Sequence, residues 1–288
     1  MNLTRAQRLT RTLLIMMAAV LAAAGLLLAS NQASPARAAT GRTSAAAAGG
    51  GPKPTIVLVH GAWADSGSWN AVIRILQGDG YTVYAPPNPL QGLAYDTAAI
   101  AGFLHTITGP IVLVGHSYGG EVITNAAVGD SQVKALVYDD AFLPARGESL
   151  VSLTTAGSCF AVHDLSTVFN FVPIAAPASL TDAYVKPAVF PGCFANGLPA
   201  AEAAMLAATQ RPLATGTFTD QSGTPAWATI PSWDIIGLND HIITPAEQLF
   251  MAHRAHARIT EISAPHLSMI SDPQAVASVI IQAAQATS

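Results

Sequence analysis

The sequence of 288 residues contains few charged side chains and only two cysteines. Charged residues form 10% of the chain, and the 13 basic residues are outnumbered by 17 acidic ones. This balance argues against nucleic acids and anionic membranes as partners, because both bind to basic surfaces. Neither the cysteines nor the eight histidines show the spacing of a metal site, so we expect no bound metal.

The first 38 residues have the three parts of a secretory signal peptide. Three arginines between residues 5 and 11 form a basic start, residues 13–28 are apolar, and residues 36–38 form an A-x-A cleavage site. A membrane anchor is the alternative, since the apolar run is about long enough to begin spanning a bilayer. The alanines and the A-x-A site favour cleavage and secretion. Cleavage leaves nine basic and 17 acidic residues, a net charge of −8.

Residues 39–53, rich in Ala, Gly, Ser and Thr, are predicted to be a flexible leader with too few apolar side chains to pack. Residues 54–288 are predicted to form one domain, because roughly 235 residues suffice for a single large core. The chain is expected to be exported, and its cysteines, Cys159 and Cys193, lie in one region. Both facts favour a disulfide between them.

Short β-branched runs alternate with helical patterns along most of this domain. Such alternation predicts an α/β fold, with a mostly parallel sheet covered by helices on both faces. The nearly continuous apolar character of the runs is typical of strands that are buried on both sides. The predicted strands are residues 55–59, 81–85, 110–114, 133–138, 232–236 and 258–262.

Helices are predicted between the strands from apolar residues at a spacing of three and four. One such stripe occupies residues 69–76, with Ser68 as its N-cap, and another occupies residues 100–107. A last helix is predicted after Asp272-Pro273, a cap followed by a proline in the first turn. These stripes indicate core packing and not function.

The alternation stops between about residues 141 and 227, where Pro, Gly and aromatic residues cluster. This segment is interpreted as a cap inserted after the strand at 133–138. Its phenylalanines either give an apolar ceiling to a site beneath or form the core of the cap itself, and the sequence leaves both readings open. They are Phe160, Phe169, Phe171, Phe190 and Phe194.

Residues 115–119, Gly-His-Ser-Tyr-Gly, match the pattern G-x-S-x-G. The match alone arises by chance in about one chain in ten. Here a buried-strand run precedes it and a helical pattern follows it, which predicts a sharp strand-to-helix turn. Such a turn holds its serine in a strained position above the sheet, so Ser117 is the predicted nucleophile.

Two backbone N–H groups are candidates for holding a developing oxyanion. The Tyr118 N–H lies at the predicted helix start, where donors point outward. The Ala62 N–H lies in the loop directly after the first strand. His60, in the same loop, is expected to hold the loop through hydrogen bonds of its ring.

A serine hydroxyl needs a base to take its proton and an acid to orient that base. In this architecture the chain order is serine, acid, histidine, which excludes His163 and every histidine before Ser117. His253 and His256 fall in a predicted helix that starts near residue 245. His266 lies in a loop after the strand at 258–262, so it is the predicted base.

Asp240 is the predicted acid, because it follows the strand at 232–236 within a short turn. Asp139 and Asp140 are the alternative, since they end the preceding strand and could reach the same histidine. Asp234 lies inside a strand, and Asp272 is explained as a helix cap.

The segments His60-Gly61-Ala62-Trp63, Ser68-Trp69 and 115–120 resemble small α/β-hydrolases of the esterase and hydroxynitrile-lyase branch. The resemblance extends from about residue 54 to the end and is weakest in the cap. It implies the α/β-hydrolase fold, catalytic roles for Ser117, Asp240 and His266, and oxyanion donors at Ala62 and Tyr118.

Two positions depart from the lyases of that branch. The lyases generally carry a lysine directly after the catalytic histidine, where this chain has Leu267, and their first loop usually lacks the glycine found at Gly61. Dehalogenases and epoxide hydrolases of this fold carry an aspartate at the position of Ser117. These differences favour a hydrolase with a serine nucleophile.

We therefore expect a serine hydrolase that cleaves carboxylic esters of small apolar or aromatic substrates through an acyl-enzyme, without a cofactor. Two alternatives stay open at this point. One is a hydroxynitrile-lyase-like or other non-hydrolytic reaction at the same serine and histidine. The other is a ligand-binding module that keeps the pocket without efficient turnover.

Overall fold

The structure, a computed structural model, describes residues 52–174 and 181–287. The predicted signal peptide lies outside the described residues, as does the predicted leader except for residues 52 and 53. In the part of the chain that is described, no helix is both long and apolar enough to span a bilayer.

The strands form a large parallel sheet and a small antiparallel one. In chain order they are β1 (Thr55–Val59), β2 (Val83–Tyr84), β3 (Ile111–His116), β4 (Val133–Asp139), β5 (Phe169–Pro173), β6 (Thr181–Val185), β7 (Leu213–Ala214), β8 (Ser232–Gly237) and β9 (Arg258–Ile262). The large sheet has the order β2-β1-β3-β4-β8-β9 with every neighbouring pair parallel. Its central strands are almost completely buried, as their continuous Val, Ile and Leu content predicts.

Helices cover the large sheet on both faces, which confirms the predicted fold class. In chain order the α-helices of the described residues are α1 (Asn70–Gly78), α2 (Leu93–Leu104), α3 (Tyr118–Ala126), α4 (Leu150–Leu153), α5 (Ala200–Thr209), α6 (Pro245–Arg254), α7 (Ser268–Ser271) and α8 (Pro273–Ala286). Helix α1 packs against α8, and α2 packs against α3. Helix α3 lies on β3, so the strand and the helix on either side of Ser117 are in direct contact.

Side-chain caps set the first residues of several helices. The Asp272 carboxylate accepts the Ala275 N–H at 3.1 Å, and α8 begins at the following proline as predicted. The predicted cap at Ser68 is wrong, because Asp65 caps a 3₁₀ turn that starts at Ser66. The Asp65 carboxylate accepts the Gly67 N–H at 2.7 Å, so helical turns begin earlier than the apolar stripe indicates.

Four of the six predicted strands differ in length from the prediction, and β4 and β8 are each one residue longer. Strand β2 contains only two residues and not five. It starts late because the Tyr81 N–H donates to the Leu76 carbonyl oxygen of α1 at 3.0 Å, and it ends early because Pro86 and Pro87 have no N–H to donate to a neighbouring strand. Strand β3 continues through Gly115 and His116, which pair with β4. The extra length brings the paired backbone of β3 up to Ser117.

The cap, residues 141–227, contains the antiparallel sheet β5-β6-β7 together with α4 and α5. The structure joins Cys159 to Cys193 in a disulfide with the Cα atoms 6.1 Å apart. Cys159 precedes β5 and Cys193 follows β6, so the bond cross-links two separate parts of the cap.

Candidate active site

Ser117 lies at the turn between β3 and α3 with a strained backbone. Its φ is +53°, which few residues other than glycine adopt. The turn is sharp enough that a Cβ on Gly119 would lie 2.5 Å from the Val59 carbonyl oxygen. The second glycine of the motif is therefore required by the close approach of α3 to β1.

Gly119→Ala is expected to lower the free energy of unfolding by about 1–3 kcal/mol, because the added methyl group forces α3 away from β1. Urea unfolding followed by circular dichroism measures this loss. Gly102→Ala is the matched control, since a Cβ at Gly102 in α2 meets no atom within 4 Å. That control should leave stability unchanged or raise it by up to about 1 kcal/mol, and equal losses in both variants would contradict the packing argument.

The structure brings the three predicted catalytic side chains into one hydrogen-bonded chain. The His266 Nε2 lies 3.1 Å from the Ser117 Oγ, and the His266 Nδ1 lies 2.9 Å from the Asp240 Oδ2. All three residues are buried. Because a carboxylate oxygen only accepts, Nδ1 carries the proton, which leaves Nε2 free to accept the serine proton.

Three further hydrogen bonds hold the Asp240 carboxylate in place. Its Oδ1 accepts the N–H groups of Ile242 and Ile243 at 2.6 and 3.1 Å, and its Oδ2 accepts the Gln248 amide at 2.9 Å. The same amide donates to the Ile243 carbonyl oxygen at 2.8 Å. Sequence reasoning missed Gln248, because a single glutamine in α6 carries no motif that distinguishes it.

His116, excluded as a base by chain order, lies against His266. Its Nε2 donates to the His266 carbonyl oxygen at 2.8 Å, and the two ring centroids are 4.7 Å apart. Burial lowers the pKa of His116 well below its ordinary value, so its ring is neutral. His116 therefore fixes the backbone of His266 without adding charge.

His60 holds the loop after β1, as its ring was predicted to do. Its Nδ1 donates to the Gly61 carbonyl oxygen at 2.9 Å, and its Nε2 accepts the Asn88 N–H at 2.9 Å. Burial lowers the pKa of His60 to about 4. The neutral ring thus links two loops at the edge of the sheet where the serine lies.

The alternative acids, Asp139 and Asp140, are buried at the end of β4 but bond other groups. Asp139 Oδ1 accepts the Ser268 hydroxyl at 2.7 Å, and Asp140 Oδ1 accepts the Gly237 N–H at 2.6 Å. Burial, together with the nearby Asp240 carboxylate, raises the pKa of Asp139 to about 7 and that of Asp140 well above its usual range. Burial also raises the pKa of Asp234 in β8.

Asp139→Asn is expected to reduce the loss of stability that the protein shows as the pH rises from 5 to 8. Between the ordinary pKa of 3.8 and the folded pKa of about 7, the folded chain keeps a proton on Asp139 that the unfolded chain releases. Stability conferred by this proton is therefore lost as the pH rises through that range. The asparagine has no proton to lose and still accepts the Ser268 hydroxyl.

Urea unfolding at pH 5 and pH 8 tests this expectation. Asp79→Asn, at an exposed position, serves as the matched control and should keep the wild-type pH dependence. An Asp139→Asn variant whose stability falls with pH as steeply as that of the wild type would refute the assignment of this titration to Asp139.

The two predicted oxyanion donors, the N–H groups of Ala62 and Tyr118, belong to buried residues close to Ser117. A Cβ on Gly61 would lie 2.6 Å from the Ser117 Cβ, so the loop that carries Ala62 packs directly on Ser117. Among the backbone hydrogen bonds of residues 52–174 and 181–287, none uses the N–H of Ala62 or Tyr118 as a donor. Buried N–H groups without a partner are rare, and here both are free to bind an oxyanion.

A cavity of about 340 Å³ opens above these groups. Among the described residues that line it, none is Asp, Glu, Lys or Arg. The predicted cap phenylalanines divide between the two roles that the sequence left open. Phe160 and Phe169 line the cavity, Phe190 and Phe194 are buried and do not line it, and Phe171 is 39% exposed.

Comparisons with known proteins agree with the fold. Residues 56–279 match the family model described as the alpha/beta hydrolase family. A carbendazim hydrolyzing esterase of Nocardioides sp. is 34% identical over 110 residues, which are 34% of this chain and 46% of that protein. A pyrethroid hydrolase of Sphingobium wenxiniae is 33% identical over 104 residues, which are 32% of this chain and 37% of that protein.

The chain thus spans less than half of the length of these two curated relatives. Among solved structures, an extracellular α/β-hydrolase from a Paenibacillus species matches 80% of this chain and 98% of its own, with 20% identity and a TM-score of 0.67. This likeness is one of fold. With a family model that matches most of the chain, the protein belongs to the alpha/beta hydrolase family.

Proposed function

We propose that this protein is a serine hydrolase that cleaves carboxylic esters. The observation that carries the proposal is the buried chain of hydrogen bonds from Asp240 through His266 to Ser117 beneath an apolar cavity. This arrangement can generate a nucleophile from an unreactive hydroxyl. The two curated relatives, an esterase and a hydrolase by name, support ester cleavage at a general level.

In the acylation step, the Ser117 Oγ attacks the ester carbonyl carbon while His266 Nε2 takes the hydroxyl proton. The carbonyl oxygen becomes an oxyanion, which the N–H groups of Ala62 and Tyr118 stabilise. The Asp240 carboxylate stabilises the imidazolium through Nδ1. When the bond to the leaving oxygen breaks, His266 Nε2 returns the proton to it, which releases an alcohol and leaves the acyl group on Ser117.

Water repeats the cycle in the deacylation step. It loses a proton to His266 Nε2 as its oxygen attacks the acyl carbon, and the same two N–H groups hold the second oxyanion. Collapse of this intermediate breaks the bond to the Ser117 Oγ, which takes the proton from His266. The carboxylic acid leaves, and no cofactor enters either step.

The substrates that fit are small esters with apolar or aromatic parts. A charged group would lose hydration in the cavity, since no Asp, Glu, Lys or Arg is among the described lining residues. Trp63, Phe160, Phe169 and Phe218 offer ring faces and edges to an aromatic substrate. The relatives are named for carbendazim and for pyrethroids, and this agrees with an aromatic preference.

We further propose that the protein acts outside the cell after removal of residues 1–38, without a nucleic-acid or membrane partner. The signal-peptide pattern and the acidic balance of the remaining chain support this proposal. The disulfide between Cys159 and Cys193 suits an oxidising compartment. An intact-mass measurement on protein from the culture medium tests it, and a full-length mass would contradict it.

A panel of p-nitrophenyl esters tests the proposed activity. It runs from the acetate to the decanoate and includes the benzoate. Saturable turnover with release of p-nitrophenol is expected. Saturable binding of esters without product would instead identify a binding module. Mandelonitrile in the same assay detects lyase activity, and cyanide release without ester turnover would overturn the hydrolase proposal.

A further inference from the structure

Trp63, the residue after the proposed oxyanion donor Ala62, has a strained backbone. Its φ is +56°, in the left-handed region that a bulky side chain rarely adopts. Such a conformation costs about 1–3 kcal/mol and persists only where the surroundings impose it. The contacts of Trp63 therefore decide where the adjacent Ala62 N–H points.

Both N–H groups of Trp63 donate to carbonyl oxygens of the cap. The backbone N–H donates to Arg211 at 3.0 Å. The indole Nε1–H donates to Ala183, in strand β6, at 2.8 Å. Two bonds from one residue to separate cap segments fix both its backbone and its ring.

Aromatic rings of the cap surround the indole, which is almost fully buried. Pairs of this kind stabilise by about 0.5–1.5 kcal/mol each beyond the area that they bury. The ring of Phe169 stacks on it with centroids 5.3 Å apart, and Phe160 and Phe194 contact it edge-on at 5.1 and 5.8 Å. Phe218 lies 6.3 Å away.

These contacts all come from residues 141–227, whereas Ala62 belongs to the loop that follows β1 of the parallel sheet. We infer that Trp63 is a positioning residue, through which the cap holds the Ala62 N–H toward the Ser117 Oγ and so sets the rate of oxyanion formation. This inference rests on the proposed esterase function. It means that the cap contributes to the chemical step in addition to forming the cavity wall.

Trp63→Phe tests the inference, because it keeps an aromatic ring in the cluster and removes the Nε1–H bond to Ala183. Complete loss of an oxyanion donor lowers kcat about a hundredfold or more, and a misplaced donor loses part of that effect. With p-nitrophenyl acetate, whose acyl group hardly uses the apolar wall, we expect kcat to fall about tenfold or more and KM to change less than about threefold.

Trp227→Phe is the matched control. The Trp227 indole also donates to a cap carbonyl, that of Pro144, at 3.0 Å, and Trp227 does not line the cavity. The control should keep the wild-type kcat. Equal kcat values for the two variants and the wild type would overturn the inference while leaving the esterase proposal intact, whereas a wild-type protein without ester turnover overturns both.

Inhibition provides a readout that a role in packing alone would not change. Phenylboronic acid forms a tetrahedral adduct on a catalytic serine, with a negative oxygen in the oxyanion position, and benzyl alcohol fills the cavity without one. In Trp63→Phe we expect the inhibition constant of the boronic acid to rise about tenfold and that of benzyl alcohol to stay constant. Equal increases in the two inhibition constants would overturn the inference, because they would show that Trp63 only forms part of the cavity wall.

Circular dichroism and urea unfolding establish that the variants fold. If Trp63→Phe does not fold, Phe218→Leu replaces it, because this change loosens the ring cluster and leaves both hydrogen bonds of Trp63 in place. The expected result is a smaller fall in kcat, about threefold, again with the boronic acid weakened more than benzyl alcohol. Parallel changes in both inhibition constants would overturn the inference here as well.

Discussion

Ser117→Ala and His266→Ala are each expected to lower kcat for ester hydrolysis by about 10⁴-fold or more, with little change in KM. The serine variant has no atom to form the acyl-enzyme, and the histidine variant has no base within reach of the Ser117 Oγ. Initial rates with p-nitrophenyl acetate, after correction for spontaneous hydrolysis, measure the loss.

The double variant discriminates between a catalytic unit and two independent contributions. Because both residues act in the same proton transfer, the double variant should be hardly slower than either single variant. Ser278→Ala and His105→Ala are the matched controls, since Ser278 is half-buried, His105 is exposed and both lie outside the site. Multiplicative losses in the double variant, or losses in the controls, would argue against the proposed pair.

Asp240→Asn is expected to lower kcat by about 10⁴-fold, although it changes the shape of the side chain very little. Every described contact of this carboxylate is an N–H donor: Ile242 and Ile243 on one oxygen, Gln248 and His266 on the other. Whichever oxygen of the carboxylate is replaced by the asparagine NH₂ group, that group must face an N–H donor. The imidazole then loses its acceptor on Nδ1 or changes tautomer, so Nε2 no longer accepts the serine proton.

The neighbouring carboxyl groups supply the controls for this prediction. Asp139→Asn and Asp140→Asn should keep most of the activity at pH 7, because the described carboxyls bond Ser268 and the Gly237 N–H and not the histidine. Comparing the kcat values of the three variants shows which carboxylate orients His266. A mild effect of Asp240→Asn beside a severe effect of either control would move the role of the acid to the end of β4.

The sheet was predictable from local patterns. The central strands β1, β3, β4 and β8 are apolar runs that need burial on both faces, and such runs are visible without tertiary information. The errors lie at the ends of elements, where single side chains decide. The Asp65 carboxylate starts a helical turn before Ser68, and Pro86 ends the pairing of β2.

The site was predictable only where strand ends define it. Ser117, Asp240 and His266 each follow a strand of one parallel sheet, so their meeting follows from topology. Gln248 carries no motif that distinguishes it. Trp63 acts through contacts with residues that are distant in the chain. Neither periodicity nor spacing encodes the bond from the Trp63 indole to β6.

The buried carboxyl groups behind the site change the acid–base behaviour of the whole molecule. Around pH 6, the raised pKa values keep Asp139, Asp140 and Asp234 uncharged. His60 and His116 act in the opposite direction, by staying neutral where free histidines are mostly charged. Folding at this pH therefore takes up protons from the buffer. In isoelectric focusing, the native protein should form its band at a more alkaline position than the same chain unfolded in urea.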